Sequence, residues 1–222
     1  HRQVAAIDYG KKRDMTILTI GEVSPYPSLE TVSILGPGDT PAERYAVTII
    51  AWYEIPGRKW KDILNEAVRI MDTFHVVDTL VCDATGVGDP LTEWLVEKAP
   101  YLNVVPFQMS SKGNDTAFKE LILRVEHQLL RYCAGPETVK TPEYQEFFRQ
   151  MEVLERHRVG EGSLIKCCAP EGDHDDYVDS AALLCIAACQ ESDTAENVGN
   201  PMYEQSTPAG SRESRYRQGR AA

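Results

Sequence analysis

Apolar and polar positions trade places with two different periods along this chain, and the switches between them outline its elements. Val4-Ala5-Ala6-Ile7-Asp8 is a short apolar run closed by an acid. After a glycine-containing turn, residues 15–20 alternate and are rich in β-branched side chains. Together they predict a β-hairpin. A third strand is expected around residues 31–35 or, past the Gly36-Pro37-Gly38-Asp39 turn, at 45–53. Over residues 60–74 the period becomes helical, with Ile63, Leu64, Ala67, Val68, Ile70 and Met71 on one face. Residues 79–83 read as a buried strand that again closes on an acid. A helix over 90–98 is predicted from Asp89 as N-cap and Pro90 at the first helical position. A short strand at 104–107, helices over 117–133 and 143–156, a late strand at 164–167 and an apolar closing helix over 176–189 complete the pattern. An antiparallel strand group followed by helix–strand alternation predicts an α/β fold, a mixed β-sheet flanked by helices. Residues 1–190 are expected to form one domain. From 191 to 222 aliphatic residues nearly vanish, which predicts a disordered tail. Its arginine-rich end, 212–220, reads as a solvated segment or a weak contact with DNA or a partner.

Composition removes several classes. The hydrophobic fraction of 42% is ordinary for a globular protein. No apolar run approaches the roughly 18–20 residues that span a bilayer. No signal-peptide pattern opens the chain, so a cytoplasmic location is expected. Because the sequence enters a core strand within its first residues, it is expected to be preceded by more protein. None of the six cysteines forms a CxxC pair, which argues against a zinc ribbon. Cys185 and Cys189, four apart on an apolar helix, have the spacing of buried thiols. The net charge of −11 is unlike that of most nucleic-acid binders. It leaves two ways to hold a polyanion: metal ions that invert the local charge, or a further domain that supplies the affinity.

The candidate chemistry lies in the acids. Asp8 and Asp83 each end a predicted buried strand, and adjacent strand ends in α/β sheets gather ligands. Asp175, Asp176 and Asp179 open the closing helix. Asp176 and Asp179, three apart, share a face; Asp175 points elsewhere, as a cap would. Hard divalent cations take oxygen ligands, and Mg²⁺ is held by a few carboxylates with water and phosphate. Two such ions about 4 Å apart serve phosphodiester cleavage. Taken singly, an aspartate at a strand end is more often a turn cap; the combination is what points to a metal site.

Three segments carry a family resemblance. Val4-Ala5-Ala6-Ile7-Asp8-Tyr9-Gly10 followed by Asp14-Met15-Thr16 resembles the first nuclease motif of tailed-phage large terminases. Val81-Cys82-Asp83-Ala84-Thr85-Gly86-Val87-Gly88-Asp89-Pro90-Leu91 resembles their second. His174-Asp175-Asp176-Tyr177-Val178-Asp179-Ser180 is similar to their closing motif. The resemblance covers about residues 3–190 and implies an RNase H-like nuclease domain of a terminase large subunit. It further implies Mg²⁺- or Mn²⁺-dependent, two-metal cleavage of concatemeric double-stranded DNA during genome packaging, in the cytoplasm of an infected bacterium. It assigns Asp8, Asp83 and Asp176 as the metal-binding, catalytic trio, with Asp8 bridging the ions. Asp14, Asp175 and Asp179 would support them; which of Asp175, Asp176 and Asp179 faces the metals stays open. Lys112 would meet a DNA phosphate or stand as a solvated lysine, and His174 would orient a carboxylate or phosphate. The implied partners are an ATPase motor domain, a portal and a small terminase. No P-loop motif occurs, so the motor would lie outside this chain. Two other readings compete. Ile7-Asp8-Tyr9-Gly10-Lys11-Lys12-Arg13 also resembles the opening of the YqgF family, and the Asp176/Asp179 pair resembles the closing helix of RuvC-type Holliday-junction resolvases. An actin-like ATPase also opens with a strand, an acid and a glycine turn, but would need further glycine-rich phosphate loops.

Overall fold

The protein is described by a computed structural model that covers residues 2–10, 15–24, 45–56, 59–85, 88–160 and 163–193. A six-stranded mixed sheet runs β5-β4-β1-β2-β3-β6. It is made of β1 (Arg2–Asp8), β2 (Thr16–Val23), β3 (Val47–Ile55), β4 (Val77–Asp83), β5 (Asn103–Phe107) and β6 (Leu130–Tyr132). β1 pairs antiparallel with β2 and parallel with β4, and sits at the centre. The helices are α1 (Trp60–Phe74), α2 (Gly88–Lys98), α3 (Ser111–Glu126), α4 (Pro142–Val153) and α5 (Asp176–Asp193). The α/β class and mixed sheet read from the sequence are what the structure has. Among the described residues no helix is long and apolar enough to cross a membrane.

Side-chain alternation in β1 divides the interior. Ala5 and Ile7 enter a core with α1 and α2 on one side of the sheet. Val4 and Ala6 enter the other, with α3, α4 and α5. A strand buried on both faces reads as a continuous apolar run, which is why residues 4–7 lack polar interruption. Beyond its acidic first turn α5 is apolar around almost its whole circumference, with Ser180 to Ala188 essentially inaccessible, as suits a helix wedged between a sheet and two other helices. Gly21 on β2 permits this approach: a Cβ there would stand 2.8 Å from Val47 Cγ2 and 2.9 Å from Leu184 Cδ2. Gly21→Ala is therefore expected to destabilise the protein by about 1–3 kcal/mol through overpacking; chemical denaturation measures it, and a cost near zero would show that α5 can ride out freely.

Three sequence expectations change. The helix expected over 117–133 begins earlier, at Ser111, where the Ser110 hydroxyl accepts Gly113 N–H at 3.3 Å. It ends at Glu126, because Gln128 adopts φ of 57° and Leu129 N–H turns back to Arg124 O at 2.7 Å. That reversal frees Leu130 to pair with Val47 as an edge strand. The helix expected over 143–156 stops at Val153, and Glu155–Arg158 is a strand, β7, paired antiparallel with β8 (Ile165–Cys168). α2 starts at Gly88, one residue before its expected cap. The third strand is the later of the two alternatives; residues 31–35, and the tail beyond 193, lie outside the described residues.

β8 is bordered by side chains instead of a third strand. Its alternate N–H groups, at Ile165 and Cys167, donate to Asp115 Oδ1 and Asn114 Oδ1 at 2.7 and 2.9 Å. The next in the series, Ala169 N–H, donates to Asp175 Oδ2 at 2.8 Å. The hairpin is thus fixed both to α3 and to the residue that precedes α5.

Candidate metal centre

Parity of the strands decides where the acids point. Asp8 follows Val4 and Ala6 on the α5 face of β1, and Asp83 follows Val81 on the α5 face of β4. β1 and β4 are parallel with Ile7 opposite Cys82, so Asp8 and Asp83 close neighbouring strands at the same end. α5 runs from that end toward the other: Ser180 meets Thr19 (Oγ to Oγ1, 2.7 Å), and Leu184 lies over Gly21, further down β2. Its first turn, with Asp176 and Asp179, therefore hangs over the strand ends.

The acids act on one another electrostatically. Asp8 is buried, and its proton affinity is held well above the usual carboxylate range. Burial is the largest cause, followed by the negative charges of Asp179, Asp176, Asp83 and Asp175. Five of the six acids expected at the site therefore share one field; the sixth, Asp14, lies outside the described residues. Lys112 is not drawn in beside them. It stands exposed on the first turn of α3, at the end of the sheet where Asp83 pairs with Phe107.

Each acid is anchored differently. Asp83 Oδ1 accepts Thr85 N–H at 2.8 Å, and Thr85 Oγ1 in turn accepts Met109 N–H at 2.8 Å, which ties the β4 loop to the end of β5. Asp175 starts α5 through its carbonyl, which accepts Asp179 N–H at 2.8 Å. Its carboxylate does not cap that helix but goes to Ala169. His174 Nδ1 lies 3.8 Å from Asp176 Oδ2. A cavity of about 330 Å³ opens beside Asp176, with Glu54, Glu146, Gln150, His174 and Tyr177 among its walls.

Two contacts hold the acidic turn that the sequence did not single out, the first of them buried. Tyr177 N–H donates to Gln150 Oε1 at 2.9 Å, and Tyr177 O–H donates to Glu54 Oε1 at 2.8 Å. Nothing in the sequence marked Gln150, a glutamine in mid-helix; Tyr177 was visible only as part of the closing motif.

Carboxylates, here with the His174 imidazole near Asp176, are the kind of donor that hard divalent cations take. Among the described residues, no three His, Cys, Asp or Glu side chains stand in the arrangement of a finished metal cage.

Solved structures share the described architecture, a six-stranded mixed sheet flanked by helices. The fold is that of large terminase nuclease domains. The large terminase nuclease from thermophilic phage G20c, solved with bound magnesium, aligns with a TM-score of 0.57 at 20% identity, over 84% of this chain and 81% of that one. The nuclease domain of the large terminase subunit of bacterial virus Sf6, solved with manganese and beta-thujaplicinol, aligns with a TM-score of 0.59 at 10% identity, over 84% and 88%. The HK97 bacteriophage large terminase aligns at 0.55 and 12% identity, over 83% of this chain but 39% of its own length. No protein-family model and no curated protein sequence matches the chain.

Proposed function

We propose that this chain is the metal-dependent endonuclease domain of a viral DNA-packaging terminase large subunit, cutting concatemeric double-stranded DNA. The observation that carries the reading is the crowding of four further carboxylates around buried Asp8, on a fold shared with terminase nucleases. Such crowding is destabilising by itself and makes physical sense as a cation site. Asp8, Asp83 and Asp176 would hold two Mg²⁺ or Mn²⁺ ions. Asp179, Asp175 and Asp14 would support this trio. Bound there, the cations would supply the positive charge that activates a water and stabilises the leaving oxygen of the phosphodiester.

The chain's own residues set the stage for that chemistry. Thr85 N–H keeps Asp83 from rotating, and His174 faces Asp176. Asp175, with one oxygen committed to Ala169 N–H, has less capacity for a ligand than Asp176. Lys112, exposed at the same sheet end, would meet a backbone phosphate. With a net charge of −11, the domain depends on its cations and on an attached ATPase motor domain for DNA affinity; the portal and a small terminase are the further expected partners, in the cytoplasm of the infected cell.

The test is supercoiled plasmid with Mg²⁺ or Mn²⁺, beside an EDTA control and Asp83→Asn. Nicking and linearisation that require both metal and Asp83 support the reading. A four-way junction as alternative substrate separates it from a resolvase, which would cut the junction and spare the plasmid. Calorimetry with Mn²⁺ completes the test: a protein that neither cuts nor binds Mn²⁺ is not this nuclease.

A further inference from the structure

The first turn of α5 brings its acids over the strand ends, yet an isolated helix N-terminus leaves its leading N–H groups without acceptors. Here one of them is served from another helix. Gln150, on α4 and only 2% exposed, accepts Tyr177 N–H at 2.9 Å. Its other end donates, Nε2 to Glu146 Oε1, at 3.0 Å. A backbone N–H can only donate and a carboxylate only accept, so these partners fix which way the amide faces. Glu146 is in turn held by a two-pronged contact from Arg149 at 2.7 and 2.8 Å, and Arg149 Nη1 reaches Asp173 Oδ1 at 2.8 Å. α4 therefore grips the approach to α5 twice, at Asp173 and at Tyr177, on either side of Asp175 and Asp176.

We propose that Gln150 is a positioning residue for the metal centre: bridging Glu146 and Tyr177 N–H, it sets where the turn bearing Asp176 and Asp179 stands relative to Asp8 and Asp83. The inference rests on the metal-centre reading above. Gln150 acts through the backbone: its amide oxygen is engaged by Tyr177 N–H and its amide nitrogen by Glu146. Outer partners that orient metal-binding groups change metal affinity by roughly 10–100-fold when removed, and a bond to the backbone between the two acids moves both at once.

Three variants of the chain test it. Q150L removes both bonds at similar volume. Q150E keeps an acceptor for Tyr177 N–H but sets a carboxylate against Glu146. E146Q/Q150E restores a donor–acceptor pair with the polarity reversed and the charge unchanged. Mn²⁺ affinity by calorimetry, plasmid cleavage at saturating Mn²⁺, and hydrogen exchange at the Tyr177 amide are read on all three. The expected result is Mn²⁺ binding weakened about tenfold in Q150L and Q150E. The turnover rate falls while the DNA concentration at half-maximal rate changes little, and the double variant recovers most of both. If Tyr177 exchanges faster in Q150L yet Mn²⁺ affinity stays within twofold of wild type, the bond is only structural and the inference fails. A double variant whose Tyr177 amide exchanges at the wild-type rate but whose Mn²⁺ affinity does not recover has the same meaning. If wild type itself binds no Mn²⁺, the metal-centre reading fails and takes this inference with it, an outcome distinct from wild type and variants binding alike.

Discussion

Asp8→Asn is expected to lose plasmid cleavage by at least about a thousandfold, the scale of removing a principal electrostatic contributor to a transition state, and at the same time to melt higher than wild type in EDTA. The two effects have one cause. Asp8 sits buried under the charges of Asp179, Asp176, Asp83 and Asp175, so ionising it costs more in the folded protein than in the unfolded chain. A carboxyl group whose folded pKa is raised contributes stability below its unfolded value, near 3.8, and that contribution is lost as pH rises through the folded pKa. Metal-free wild type should therefore lose stability as pH climbs above about 4, and Asp8→Asn, which cannot ionise, should lack that part of the slope. Near pH 8 the asparagine variant is expected to be about 1–2 kcal/mol more stable, a trade of stability for function common at active sites. For a chain of this size that is about 2–4 °C per kcal/mol. Cations reverse the order. A ligand at a hundred times its Kd adds about 2.7 kcal/mol to the state that binds it, and Asp8→Asn should gain much less. Melting curves from pH 4 to 8, in EDTA and in Mn²⁺, show both halves. If Asp8→Asn melts below wild type at pH 8 in EDTA, the carboxylate is internally satisfied and the crowding argument is wrong.

The parts of this site that could be read from sequence are those where one residue type at one position carries the whole signal. A buried strand that stays apolar for three or four residues and then ends in aspartate, as in β4 and β1, announces both its period and its exception. The closing helix does so too, because acids ahead of a fully apolar run have no packing reason to be there. β6 and β7 were hidden for the opposite reason. They are three and four residues long; β7 is exposed throughout, and β6 buries only its first residue. Neither has an alternation to detect, and each exists only because a partner strand was placed beside it. The end of α3 was missed because Gln128 takes the left-handed conformation that a glycine would have signalled. Which of the adjacent acids Asp175 and Asp176 is engaged elsewhere depends on Ala169 being nearby, a fact of folding rather than of spacing.

Arg124→Ala is expected to destabilise the protein by about 3–5 kcal/mol, the range for breaking a buried charge pair by removing one member. Arg124 is completely inaccessible. Its Nε donates to Glu120 Oε1 at 3.0 Å, Nη1 to the carbonyl of Tyr45, and Nη2 to Cys189 Sγ at 3.5 Å. One guanidinium thus ties α3 to the far end of α5 and to the segment leading into β3. Truncation leaves the buried Glu120 carboxylate and the Tyr45 carbonyl without it. Replacing both members of a buried pair with apolar residues of similar size is often nearly neutral, so Arg124→Met with Glu120→Leu should recover most of the loss. The sum of the two single costs should exceed the cost of the double by several kcal/mol in urea unfolding. A single-variant cost below about 1 kcal/mol would mean that the pair is already solvated and that α5 is held by packing alone. The same variants separate scaffold from site. Arg124 grips α5 at Cys189, about three turns or more from the acids at Asp179 and Asp176, so the double variant should cut plasmid at the wild-type rate per folded molecule. A slower rate with stability restored would show that the lower end of α5 sets the position of its acidic turn, a task the contacts of Tyr177 otherwise account for.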